Sequence, residues 1–130
     1  MRMLSTLALI AVSGLLLGCD GPPVKDVCQF QADCWYRNCD WNDQACQAQV
    51  EPRKQQCMAS YNMTLDALAV SKGEPCRVCE SATIALLECL DKIPSCYAWD
   101  RALNPDGGAC YQEHVDAQEQ CQDIVANCYR

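Results

Sequence analysis

Much that other small domains rely on is scarce in this chain. It has one histidine, His114, and one phenylalanine, Phe30. A histidine relay, or a metal site built on imidazoles, therefore has almost nothing to draw on. There is no run of basic residues and no patch of interleaved basic and aromatic residues, which argues against a nucleic-acid partner. The longest uncharged apolar stretch, Met3 to Leu17, is fifteen residues, against the roughly 20 that a permanent transmembrane helix needs. Aliphatic residues are few. Residues 19–130 contain only seventeen Leu, Ile, Val and Phe among 112, with 9 Lys and Arg against 17 Asp and Glu, a net charge of −8. Low apolar content with high net charge normally leaves a chain unable to offset its conformational entropy.

What is abundant is cysteine. There are thirteen: Cys19, and twelve more at Cys28, Cys34, Cys39, Cys46, Cys57, Cys76, Cys79, Cys89, Cys96, Cys110, Cys121 and Cys128. An even dozen in a short exported chain reads as a framework of six disulfides. Cross-links at about 2–4 kcal/mol each supply the stability that the sparse aliphatic content withholds. Twelve cysteines allow roughly ten thousand pairings, so spacing alone leaves connectivity open.

The odd cysteine has a separate use. Arg2 gives a positive start, an uncharged apolar stretch follows, and Leu16-Leu17-Gly18-Cys19 ends it. This resembles the lipobox of bacterial lipoproteins, with Leu17 standing where Ala or Ser is usual. The resemblance covers residues 1–19 alone and no domain family is recognised beyond it. It implies that residues 1–18 are a signal peptide that is removed. It implies too that the Cys19 thiol receives a diacylglycerol and the new amino group a fatty acyl chain such as palmitate. Several acyl chains on one residue anchor stably, since each buried methylene adds about 0.8 kcal/mol. The expected location is the bacterial cell envelope, facing the periplasm or the exterior. Asp20 resembles an inner-membrane retention signal. The acidic surface offers anionic headgroups nothing, so Cys19 must do the anchoring, and a protein partner, if basic, would be favoured.

Residues 19–27, with Gly21-Pro22-Pro23, read as the lipidated cysteine and a short tether, and residues 28–130 as one cysteine-rich domain. Its composition is helical, rich in Ala, Gln, Glu and Leu. The expected fold is all-α, a small disulfide-stapled bundle of four or five short helices. The first covers Val27 to Arg37. A second starts from Asp40, Asn42 or Asp43 and runs to about Tyr61, with Pro52 as a kink or as the start of a fresh helix. Met63 to Val70 is a weaker stretch. Cys76 to Ile93 is the clearest helix, with an apolar stripe at Ile84, Leu87, Leu90 and Ile93 and a stop at Pro94. Ser95 to Leu103 forms a short turn, residues 104–108 a loop, and Ala109 to Tyr129 the last helix. Seven- and eleven-residue cysteine spacings place Cys39 with Cys46, Cys46 with Cys57, Cys89 with Cys96, and Cys110 with Cys121 and Cys128 on single helix faces, ready to bridge to neighbouring helices. A faint repeat relates Cys79-x9-Cys89-x6-Cys96-Tyr97 to Cys110-x10-Cys121-x6-Cys128-Tyr129.

Three function classes compete. Cys76-Arg77-Val78-Cys79 is a CxxC opening a helix, the place where a thiolate is stabilised in thiol–disulfide oxidoreductases; the βαβ pattern that makes CxxC persuasive is absent. The cysteine abundance resembles that of bacterial copper-storage bundles, which hold Cu(I) on thiolates, yet their CxxxC spacing is missing altogether. The favoured reading is a non-catalytic, membrane-anchored envelope lipoprotein that binds or caps another protein, as an immunity protein or an assembly accessory does. It assigns no catalytic residue, metal ligand or cofactor. Trp35, Tyr36, Trp41, Tyr97 and Trp99 form two clusters, read first as filling between disulfides and second as a binding surface.

Overall fold

The structure is a computed structural model that describes residues 21–71, 73–122 and 128. The leader, Cys19 and Asp20 lie outside the described residues, as does all of the expected last helix after Gln122 except Cys128. Six helical segments follow one another: α1 (Val24–Arg37), α2 (Gln44–Ala48), α3 (Val50–Val70), α4 (Glu74–Asp91), α5 (Cys96–Arg101) and α6 (Tyr111–Cys121). No strand occurs among the described residues, and none of their helices is long and apolar enough to cross a membrane. The fold is a small, disulfide-rich helical bundle.

The molecule is two stapled halves stitched together. In the first, α1 and α3 lie antiparallel, with Cys28 bonded to Cys57 across them. In the second, α4 and α6 are antiparallel and joined twice, by Cys79–Cys121 and Cys89–Cys110, while Cys76 bonds Cys128 just beyond α6. The two CxnC segments of the faint repeat thus bond to each other in crossed order. Cys34–Cys96, from α1 to α5, is the single disulfide linking the halves. Noncovalently they share a core in which Val24, Val27 and Cys28 meet Leu86, Leu87, Leu90, Ile93 and Ala102. Phe30 and Trp99 add an edge-to-face pair across the same seam, their centroids 5.5 Å apart. A second, smaller cluster puts Leu68 at the end of α3 against the Cys76, Cys79 and Cys128 sulfurs.

Local sequence explains three helix starts. Asp43 caps α2 by accepting from the Cys46 N–H at 2.9 Å, and Ser95 caps α5 by accepting from the Ala98 N–H at 3.2 Å. Pro75 sits in the first turn of α4, where no backbone donor is needed. Gly107 takes a positive φ of 89° to turn the loop before α6. At Gly108 any Cβ would lie 2.5 Å from the Ala102 and Arg101 carbonyl oxygens, so the chain there passes too close for a side chain.

Four expectations need correction. First, α1 begins at Val24, not Val27, because Val24 and Val27 are both buried in the core and Pro23 presets the entry. Residues 24–27, expected to lie before the domain, are thus part of α1. Second, α3 is continuous over Val50–Val70. Pro52 is its third residue, and the first helical bond next to it, Arg53 N–H to the Gln49 carbonyl at 3.0 Å, leaves the missing proline donor without consequence. Third, Cys39 and Cys46 do not share a helix face; they bond to each other, closing the loop between α1 and α2. Nor do Cys46 and Cys57 share one, since α2 ends between them, or Cys89 and Cys96, since α4 ends at Asp91 and Cys96 opens α5. Fourth, the aromatics are not all filling. Trp99 packs against the core, but Trp41 is 86% exposed and Tyr97 72%.

Candidate functional site

Cys76 and Cys79, the CxxC pair, are both buried to 1% exposure and face α6, bonded to Cys128 and Cys121 rather than to each other. Thr83, the buried polar side chain one turn further on, places its hydroxyl 3.6 Å from the Cys121 sulfur, a weak acceptor. A thiol–disulfide exchanger needs an accessible sulfur and a local, labile bond. Neither feature is found at this position. Near Cys128, the Ser71 hydroxyl shares its proton between the Ala67 and Cys128 carbonyls, at 2.9 and 2.8 Å, and so ties the end of α3 to the last cysteine.

All twelve cysteines from Cys28 to Cys128 are paired. A sulfur in a disulfide is neither a thiolate ligand nor a nucleophile. Among the described residues, no group of three or more His, Cys, Asp or Glu side chains is placed to hold a metal ion. His114 is half-buried on α6, one turn after Cys110, which is bonded to Cys89. The one ion pair among the described residues, Arg77 with Glu74 at 3.3 Å, is solvent-exposed and contributes little.

The features that stand out for recognition gather at the end of the first half where α1 stops and α3 starts. The Cys39–Cys46 bridge closes a loop over Asp40-Trp41-Asn42-Asp43. Gln47 reaches back from α2, its side-chain N–H donating to the Trp41 carbonyl at 3.1 Å, and Asp43 caps α2 from within the loop. The backbone around Trp41 is therefore fixed by a covalent bond and two hydrogen bonds. Its indole, by contrast, packs on almost nothing. Tyr36, on the last turn of α1, is also exposed. Next to this loop, Trp35 carries the Arg53 guanidinium over its ring at 4.2 Å. The two residues line a cleft of about 280 Å³ between α1 and α3, floored by the Cys28–Cys57 bridge.

Sequence reasoning singled out Trp35, Tyr36 and Trp41 as a cluster but gave no reason to separate them. The signal that does so is Cys39–Cys46: a bridge spanning only seven positions ties no distant elements together, and its effect is to hold a loop. The second expected cluster splits as well. Trp99 turns inward onto Phe30, while Tyr97 faces solvent and accepts a 2.7 Å hydrogen bond on its hydroxyl from Arg101. No protein-family model, curated protein or solved structure matches this chain.

Proposed function

We propose that this chain is a lipid-anchored protein of the bacterial cell envelope, held through Cys19, whose stapled helical domain binds another envelope or secreted protein and catalyses no reaction. The lipobox supports the anchor. So does parity, because pairing of the twelve other cysteines leaves Cys19 over. The single observation that carries the binding role is Trp41 on its closed loop. Tryptophan is the residue type most enriched at binding hot spots. Presenting it on a rigid backbone removes much of the ordering cost that a flexible loop incurs on association. Asp40 and Asp43 flank it, which favours a partner with an apolar pocket rimmed by basic side chains. Against the thiolate-based alternatives, Cu(I) storage and CxxC exchange, stands the engagement of their sulfurs in disulfides.

Photo-cross-linking from the membrane-anchored protein tests this. A benzophenone side chain placed at position 41 should give a discrete adduct with one envelope or secreted protein. The same group at Asp66, exposed on α3, should not. Equal adduct patterns from both positions would defeat the reading.

A further inference from the structure

We propose that the cleft between α1 and α3 is a binding site for a carboxylate group, gripped by Arg53. The cleft is lined by Gln31, Trp35, Arg53, Gln56 and Ser60 above the Cys28–Cys57 bridge. Residues 19–130 carry 17 acidic residues and a net charge of −8, yet not one Asp or Glu lines it. Two other surface concavities each include a glutamate, Glu119 in one and Glu74 in the other. The cleft is a small positive site on an acidic molecule. At physiological salt the screening length is about 8 Å, so acidic groups elsewhere on the surface weigh little against a guanidinium in direct contact.

The donors in the cleft are uncommitted. Arg53 places its guanidinium carbon over the Trp35 ring and has no hydrogen-bond or ion-pair partner among the described residues, and the same holds for the side chains of Gln31, Gln56 and Ser60. Elsewhere on the same two helices, Gln29 donates to Asp33 at 2.8 Å and Gln55 to Glu51 at 2.7 Å. The glutamines that face away from the cleft thus satisfy local carboxylates, whereas those in the cleft have none to satisfy. The Trp35 ring holds the guanidinium at 4.2 Å while its N–H fork has no acceptor among the described residues, and a carboxylate matches that fork bidentately. A volume of about 280 Å³ is room for roughly nine waters. That suits a small acid, the C-terminal carboxylate of a chain, or one acidic side chain on a peptide.

Two-dimensional ¹H–¹⁵N NMR of the mature chain tests this with four probes: sodium acetate, acetyl-Gly-Gly with a free carboxylate, its C-terminal amide, and acetyl-Ala-Glu-Ala-amide. The Arg53 Nε–H and Trp35 indole N–H resonances should move saturably with at least one carboxylate probe and stay still with acetyl-Gly-Gly-amide. Arg53→Gln should abolish the response, and Arg53→Lys should weaken it tenfold or more, because an ammonium cannot grip bidentately. The strongest probe then names the source: acetate a free acid, acetyl-Gly-Gly a chain terminus, acetyl-Ala-Glu-Ala-amide a side chain. Shifts that do not saturate, that the amide reproduces, or that survive Arg53→Gln would overturn the proposal. The site is independent of the Trp41 reading: Trp41→Ala should leave the carboxylate response intact, so the two fail separately.

Discussion

Removing the Cys34–Cys96 bridge, as Cys34→Ala with Cys96→Ala, should loosen the seam between the two halves while leaving each half stapled. The two cysteines are 62 positions apart. The Cys28–Cys57 bridge shortens the covalent path between them to about 45 residues, and closing a loop of that size corresponds to about 4 kcal/mol of unfolded-state entropy. A domain of this size has a total stability of about 5–15 kcal/mol, so the loss is large yet survivable. The same arithmetic for Cys39–Cys46, seven positions apart, gives only about 2.4 kcal/mol. Guanidinium denaturation, followed in parallel by circular dichroism and by fluorescence of Trp99, reads both quantities. Trp99 sits at the seam against Phe30 and should report early separation in the Cys34/Cys96 variant, with helicity lost later. The Cys39/Cys46 variant should be the more stable of the two by about 1.5 kcal/mol and should unfold in a single step. Equal losses in the two variants would refute the reasoning, as would coincident loss of helicity and Trp99 signal when the seam bridge is gone.

Leu87 is fully buried in the core shared by both halves, so Leu87→Ala should cost about 2–5 kcal/mol in denaturant titrations. Gly108→Ala drives a methyl into the Ala102 and Arg101 carbonyls and should destabilise by about 1–3 kcal/mol, read as a lowered Tm. Burial raises the Tyr61 pKa above its ordinary value of 10.0. The folded state therefore holds that proton more tightly than the unfolded one. Its contribution to stability is complete below pH 10 and is lost as the pH rises through the folded-state value. Absorbance at 295 nm should show a late-titrating tyrosine that Tyr61→Phe removes, together with part of the alkaline fall in stability.

How far the sequence reveals this molecule depends on whether the determinants are local. The all-α class and the 104–108 loop are set by neighbours within a few residues and are legible. The cap of α2 is legible only as one of Asp40, Asn42 and Asp43, of which Asp43 takes it, and α4 starts at Glu74, two residues before the expected Cys76. The continuity of α3 is not legible, because Asn62, Met63 and Thr64 look like a weak spot, yet Tyr61, Leu65 and Leu68 on either side pack into the two cores and hold the helix through. The start of α1 is hidden for a related reason: Val24 belongs to a core formed with α4, fifty residues and more away. Pairing is the least legible feature. Helical spacing places Cys39 and Cys46 on one face, but the helix ends at Arg37 and the two bond across a loop. The exposure of Trp41 follows from that closure, so the candidate site was as hidden as the bond that builds it. The Arg53–Trp35 cleft needs α1 and α3 side by side, and residues 18 positions apart give no periodic signal of it.

The central claim is a fully cross-linked two-half domain whose one spare cysteine carries lipid. Intact mass of the mature, membrane-extracted protein, alkylated with and without prior reduction and followed by non-reducing peptide mapping, tests it most directly. The account predicts no alkylation without reductant, twelve additions after it, a diacylglyceryl and acyl mass on Cys19, and a recovered Cys34–Cys96 peptide pair. Native alkylation of several cysteines, alkylation of Cys19 itself, or a Cys76–Cys79 bridge would contradict it.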